Sequence, residues 1–256
     1  MNIPSCVNAT SPISTVSDRY GFIPTHEVIN AFNREGWQMT KATAVKVRKP
    51  SKEGFQRHLI RFVHESQINT NSGNRMETVF INSHDKTSGV ILASGIFRFA
   101  CANGLIVADS TIQGFKLYHT GLTMDRVLGH AHDLLQQQEK VSGTIEQWKS
   151  IKLNQDQKVA LAQAGINLRW GNDQANQPLS PSVVLLPNRT EDMGSDLWTV
   201  FNIVQENIIR GGLTDRSRTR FDGRSFRSVR PIKSISADLA INTGLWQAAN
   251  ELALAS

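Results

Sequence analysis

The feature that most constrains the fold of this chain is a change of hydrophobic period near residue 123. Before it, apolar residues alternate or run in short β-branched and aromatic blocks bounded by polar turns; after it, they recur at helical spacing. A period of two demands a pleated sheet with two distinct faces, and a period near 3.6 demands helices packed along one stripe. The chain is therefore expected to be α+β: a mostly antiparallel sheet with hairpins backed by helices, followed by a helical C-terminal half.

Residues 1–17, rich in Ser, Thr, Asn and Pro, predict a flexible N-terminal arm, and residues 18–122 predict the α+β core. Pro24-Thr25 before Glu27, with Val28, Ile29 and Phe32 on one face, predicts a helix capped by Thr25 and closed at Gly36. Residues 41–48 predict a half-buried strand with Lys46 and Arg48 on its open face. Residues 56–64 predict its partner, with Arg57 and Arg61 on a shared face, so the two form a basic hairpin. The most densely specified stretch is 79–107: a strand, a polar turn at Asn82-Ser83-His84-Asp85, a second strand, a short helix from Gly95 carrying Arg98 and Cys101, and a strand after Asn103-Gly104. A further strand is expected within 113–119.

Residues 123–170 predict a helical segment, with Ser142-Gly143 interrupting it and a capping box at Thr144 to Gln147 restarting it. Residues 171–193, rich in Gly, Asn, Pro and Ser, predict a loop or linker. Residues 194–256 predict a helical C-terminal segment: one helix opening at Ser195-Asp196 and ending at Gly211-Gly212, a basic loop over 213–233, and a last helix capped by Ser236.

A hydrophobic content of 39% with 20% charged residues is that of a soluble globular protein, and no apolar run approaches the ~18 residues of a membrane span. The opening residues lack a charged and then apolar leader, so a cytoplasmic location is expected and no membrane partner. Cys6 and Cys101 make neither a disulfide framework nor a zinc site. Phosphate-binding glycine loops and nucleophile elbows are missing, so no cofactor, metal or catalytic residue is expected.

The net charge of +6 is concentrated in two places. Residues 41–61 set seven Lys and Arg against Glu53, and residues 210–233 set eight against Asp215 and Asp222, so each segment is +6 on an otherwise acidic chain. Such surfaces attract polyanions. In the second segment Phe221 and Phe226 interleave with Arg216, Arg218, Arg220, Arg224, Arg227 and Arg230, a composition suited to phosphate contacts plus base stacking at ~1–3 kcal/mol per base. These residues, with Lys46, Arg48, Arg57 and Arg61, are the expected nucleic-acid contacts. Arg98, a cation among apolar neighbours, is either paired internally or aimed at a ligand.

Asn82, Ser83, His84 and Asp85 carry three readings: a turn held by side chain to backbone bonds, a nucleic-acid contact, or a catalytic site with His84 beside Asp85 as base or metal ligand. Adjacent residues in an extended turn point apart, which favours the first.

Asn82-Ser83-His84-Asp85, then Gly95-Ile96-Phe97-Arg98 and Cys101-Ala102-Asn103-Gly104-Leu105, resemble the signature of a phage and plasmid family known as domain of unknown function 932. Arg19-Tyr20, Ile23-Pro24, Arg57-His58, Leu197-Trp198, Gln205-Glu206-Asn207 and Gly211-Gly212 extend the resemblance along most of the chain. In element order alone the chain is similar to single-strand annealing proteins of the Redβ, RecT and Erf type, which implies a ring- or filament-forming homo-oligomer holding single-stranded DNA in a basic groove. Single-stranded DNA binding and annealing in recombination, without catalysis, is the function expected of a mobile element's protein in a bacterial host cell. The alternatives are a counter-defence factor that binds a host protein, and a metal-dependent nuclease using His84 and Asp85.

Overall fold

The computed structural model describes residues 3–68, 74–98, 104–107, 114–219, 223 and 225–256. The chain divides into two compact units, Met1–Glu139 and Lys140–Ser256. It is an antiparallel sheet with helices first and helices alone afterwards, as the change of period predicts.

In the first unit, α1 (Thr25–Arg34) starts at Pro24, whose fixed φ suits a helix entry, and buries Val28, Ala31 and Phe32. Thr25 is not the cap: it is the first helical residue, and its hydroxyl turns inward to two histidines. Gly36, at φ 86°, reverses the chain in a backbone conformation that side chains resist. The chain then enters β1 (Trp37–Ala44), earlier than the expected 41–48. Burial decides this, since Trp37 is fully buried between the rings of Phe32 and His64. The ladder ends with the Val45 amide donating to the Arg57 carbonyl, so Lys46 and Arg48 lie beyond the strand.

The partner strands are β2 (His58–His64), β3 (Asn74–Asn82) and β4 (Val90–Arg98), joined in sequence order. Both β5 (Gly104–Val107) and β6 (Phe115–Leu117) pair with β4, side by side along it. Registry carries one row across the sheet: Ala42 opposite Ile60, Ile60 opposite Phe80, Phe80 opposite Leu92, and Leu92 opposite Phe115. That row faces Val28 and Phe32 of α1 together with Val127, Ala131 and Leu134, which makes the core of the unit.

The helix expected from Gly95 is absent, because β4 continues through Arg98. Gly95 stands opposite Glu77 on one side and Ile106 on the other, and pairing on both edges overrides the local amphipathic pattern. Cys101 lies outside the described residues.

The long helix α2 (Met124–Ser150) runs through Ser142-Gly143 without the expected interruption. The Thr144 hydroxyl donates back to the Lys140 carbonyl, a bond made inside a helix rather than at its start. The boundary between the two units falls within this helix.

In the second unit, α3 (Gln155–Trp170) opens on a capping box between Asn154 and Gln157. Residues 171–193, expected as a loop or linker, include the short helix α4 (Pro181–Val184) and two 3-10 turns, with Gln177, Leu179 and Val184 buried. Asp196 caps α5 (Leu197–Arg210) through the Thr199 amide. Ser234, two residues before the expected Ser236, caps α6 (Ile235–Ala255). Trp148, Phe201 and Trp246 meet at the centre, with Trp148 and Trp246 rings 4.3 Å apart. Gly165 allows this approach of α3, since a Cβ there would lie 2.9 Å from a Val204 methyl.

Candidate nucleic-acid interface

Where the β1–β2 ladder stops, the connecting segment opens into a cleft of about 460 Å³. The turn is set locally: Pro50 starts a 3-10 turn that carries Lys52, and Gly54 adopts φ 85°. Lys46, Arg48, Lys49, Lys52 and Arg57 all line the cleft, against one carboxylate, Asp85. Lys46, Arg48 and Lys49 are exposed. Five like charges around one concavity repel each other until an anion enters, and concave walls concentrate their field.

Asp85 reaches the cleft from the β3–β4 turn, where it serves as a pillar. Its Oδ2 meets the Lys52 ammonium at 3.1 Å, and its Oδ1 accepts the Thr87 amide at 3.1 Å and the Thr87 hydroxyl at 2.5 Å. Burial alone would raise its carboxyl; the bonds from Thr87 and Lys52 outweigh that and bring it below the ordinary carboxylate value. Between them Lys86, exposed, takes a left-handed φ of 64°, a conformation rare outside glycine. Arg57 is steadied by donating to the Ser88 hydroxyl at 2.8 Å.

Arg61 does not join the cleft. It pairs at 2.5 Å with the fully buried Glu77, which also takes Arg75 at 2.6 Å and the Thr40 hydroxyl at 3.0 Å. Three of the four expected hairpin cations thus line one cavity, and Arg61 serves the sheet. Lys49, Lys52, Gln56 and Thr87 were absent from the expected contacts. For the two lysines the basic run itself was the available signal.

The polar turn is buried beside this cleft. Asn82, Ser83 and His84 are fully inaccessible. The Thr25 hydroxyl lies 2.7 Å from His58 Nε2 and 3.2 Å from His84 Nε2, and Asn82 Nδ2 donates to it at 3.4 Å. Tautomers follow from proton count. His58 Nδ1 lies 2.9 Å from the Gln56 carbonyl and so carries its hydrogen, leaving Nε2 to accept from Thr25; the Thr25 oxygen then accepts from His84 Nε2–H. Burial pushes His84 down to about 3, His58 and His119 add to the shift, and the Cys6 backbone and Asp85 oppose it only in part. Burial likewise lowers His58 and His119.

On the far side the Tyr20 hydroxyl donates to the Ser83 carbonyl at 2.8 Å, and its ring stacks on His119 at 4.2 Å. The Ser83 hydroxyl closes the turn onto Ser88. Of the three readings of Asn82 to Asp85, this geometry matches the turn for the first three residues, while Asp85 belongs to the cleft wall. Among the described residues no three His, Cys, Asp or Glu side chains gather as metal ligands would.

In the second unit the basic loop is pinned at its base. Asp215, buried, accepts from the Ser180 amide at 2.8 Å and from the Ser180 and Ser217 hydroxyls. Burial would raise this carboxyl, yet those bonds hold it well below its ordinary range. Arg218 is half-buried and donates to the Gln174 and Gln177 carbonyls. Arg216, Arg227 and Arg230 are exposed, and Phe226 is half-buried. Thr219 and Ser225 bridge across the loop. Arg220, Phe221 and Arg224 lie outside the described residues, as does the side chain of Arg98.

A family model described as "Domain of unknown function (DUF932)" matches residues 12–246. The chain is also similar to two proteins of Escherichia coli strain K12, UPF0380 protein YafZ and UPF0380 protein YfjQ. Each is 34% identical over 237 residues, which cover 92% of this chain and 83% of the relative. No solved structure matches the chain.

Proposed function

The chain belongs to the domain of unknown function DUF932 family, and we propose that it binds single-stranded nucleic acid through the cleft between the β1–β2 connection and Asp85. The observation that carries this reading is three exposed cations, Lys46, Arg48 and Lys49, on a cleft whose one carboxylate is already matched by Lys52. Phosphodiester groups supply the anions this site lacks. The volume is that of a small-ligand pocket, which takes a short stretch of one strand and not a duplex. The exposed Arg216, Arg227 and Arg230 offer a second phosphate-binding surface on the other unit.

The similarity in element order to the Redβ, RecT and Erf annealing proteins extends the reading: a homo-oligomer in the bacterial cytoplasm, encoded by a phage or plasmid, that holds strands for pairing during recombination. No covalent step is required. Among the described residues no helix is long and apolar enough to cross a membrane. A nuclease reading would need His84 to meet substrate, and His84 is fully buried.

The test is a titration of short single strands at several salt concentrations. Phosphate contacts from the three exposed cations Lys46, Arg48 and Lys49 predict a log–log slope of about −2, at about −0.7 per contact for single strands. A slope near zero would discard the proposal, and binding of a host protein without nucleic acid would replace it with the host-factor reading.

A further inference from the structure

Resting on that reading, we infer that the strand leaving the cleft stacks one of its bases on the ring of Tyr118, with Lys116 taking the adjoining phosphate. Registry sets Leu59, Ile81, Ile91 and Lys116 in one row across the sheet, on the face turned away from the core row. Arg57 precedes Leu59 by two residues and Tyr118 follows Lys116 by two, so both stand on that face at the same end of the sheet. Three strand spacings, about 14 Å, separate them. Ser88 joins the two places: its hydroxyl takes Arg57 at 2.8 Å, and its carbonyl lies 3.1 Å from Nε2 of His119, the residue after Tyr118. The bound strand then runs from the cleft, past Ser88, to β6.

Tyr118 is 71% exposed, yet the backbone beneath it is fixed. Leu117 and His119 are buried on either side, and the Gly21 amide donates to the His119 carbonyl at 3.0 Å. The Leu117 carbonyl passes so close to Gly89 that a Cβ there would lie 2.6 Å from it. An aromatic side chain held outward on a fixed backbone, with two torsions to lose, gives up little freedom when a base covers it. Lys116, also exposed, holds its ammonium over that ring at 5.8 Å. Cation beside aromatic ring is the pairing that single strands need, one for the phosphate and one for the base, and it favours no base because every base has a π face. Among the described residues that line it, the cleft has cations and the aliphatic Val45 and Val47 but no aromatic ring, so the stacking surface lies outside it.

The experiment compares the unaltered protein with Y118A and Y118F by fluorescence anisotropy on two labelled strands: oligo(dT), and a strand of equal length built from abasic nucleotides, which keeps every phosphate and no base. Y118A is expected to bind oligo(dT) about tenfold more weakly at every salt concentration and to bind the abasic strand as the unaltered protein does, while Y118F keeps its affinity for both. Lys116 adds a phosphate contact to those of the cleft, so K116A is expected to flatten the salt slope by about 0.7. An unchanged slope overturns the role given to Lys116. Undiminished binding of oligo(dT) by Y118A overturns the stacking and leaves the cleft as the interface; if Y118A also elutes at a smaller mass in gel filtration, the ring packs on a second copy instead. An equal loss on both strands, or a flatter slope in Y118A, overturns it as well, by tying Tyr118 to the strand's backbone or to the fold. Failure of the unaltered protein to bind oligo(dT) overturns the proposed function itself.

Discussion

The two basic segments carry the same net charge and use it differently. The β1–β2 connection turns Lys46, Arg48 and Lys49 outward around a cavity, with Asp85 as a pillar braced by Thr87 and Lys52. The α5–α6 loop ties part of its charge down: Arg218, half-buried, donates to two carbonyls, and Asp215 holds the base through Ser180 and Ser217. Both segments rest on an aspartate that grips a hydroxyl two residues on, Thr87 in one and Ser217 in the other. Charge counted along a sequence therefore measures how many cations exist, and the local acceptors decide how many face a ligand.

The largest effect expected from this contrast is on an inward cation. Glu77→Ala removes the buried carboxylate that Arg61 and Arg75 share and should cost about 3–5 kcal/mol in urea denaturation. If it folds, its affinity for single strands should be unchanged, and a stable variant with lost binding would mean that Arg61 belongs to the interface after all. Next in size is the outward set. Replacing Lys46, Arg48 and Lys49 together by Ala should flatten the salt slope by about two units while leaving the urea midpoint alone. The same treatment of Arg216, Arg227 and Arg230 should change it less; an equal change would mean that both segments carry phosphate contacts to the same extent.

The smallest effect separates groups that stay charged from groups kept neutral. Burial lowers His58, His84 and His119 from their ordinary value of 6.5 in the folded protein. The unfolded chain therefore binds more protons, and the stability these rings contribute is complete above that value and fades as pH falls below it towards about 3, where His84 titrates folded. Urea midpoints should decline from pH 7 to pH 5. Binding at constant folded fraction should stay level over the same range, because Lys and Arg keep their charge and Asp85, lowered, stays ionised. A binding profile that followed the histidines would tie the buried turn to the ligand.

Much of this was legible before any coordinates. Alternation marked β2, a β-branched and aromatic run marked the last part of β3, the Pro24 entry and the apolar stripe marked α1, and the helical period marked α2, α3 and α5. What stayed hidden depends on partners distant in sequence. Gly95 to Arg98 looks helical alone and becomes a strand because β3 and β5 pair with it. Asn82 to Asp85 reads as a turn, but nothing local announces that His84 and His58 share a hydroxyl 59 and 33 residues away. Arg61 looked as open as Arg57 until Glu77, 16 residues on, claimed it.

The Thr25 hydroxyl has one proton to give and two rings beside it. Since the Gln56 carbonyl fixes which nitrogen of His58 is protonated, it also fixes the direction of Thr25 and, through Thr25, the tautomer of His84. The two imidazoles therefore hold one joint setting rather than two independent ones. Helix, hairpin and turn are locked in phase by the sharing of a single hydroxyl, so the tautomer chosen at one ring decides that of the other.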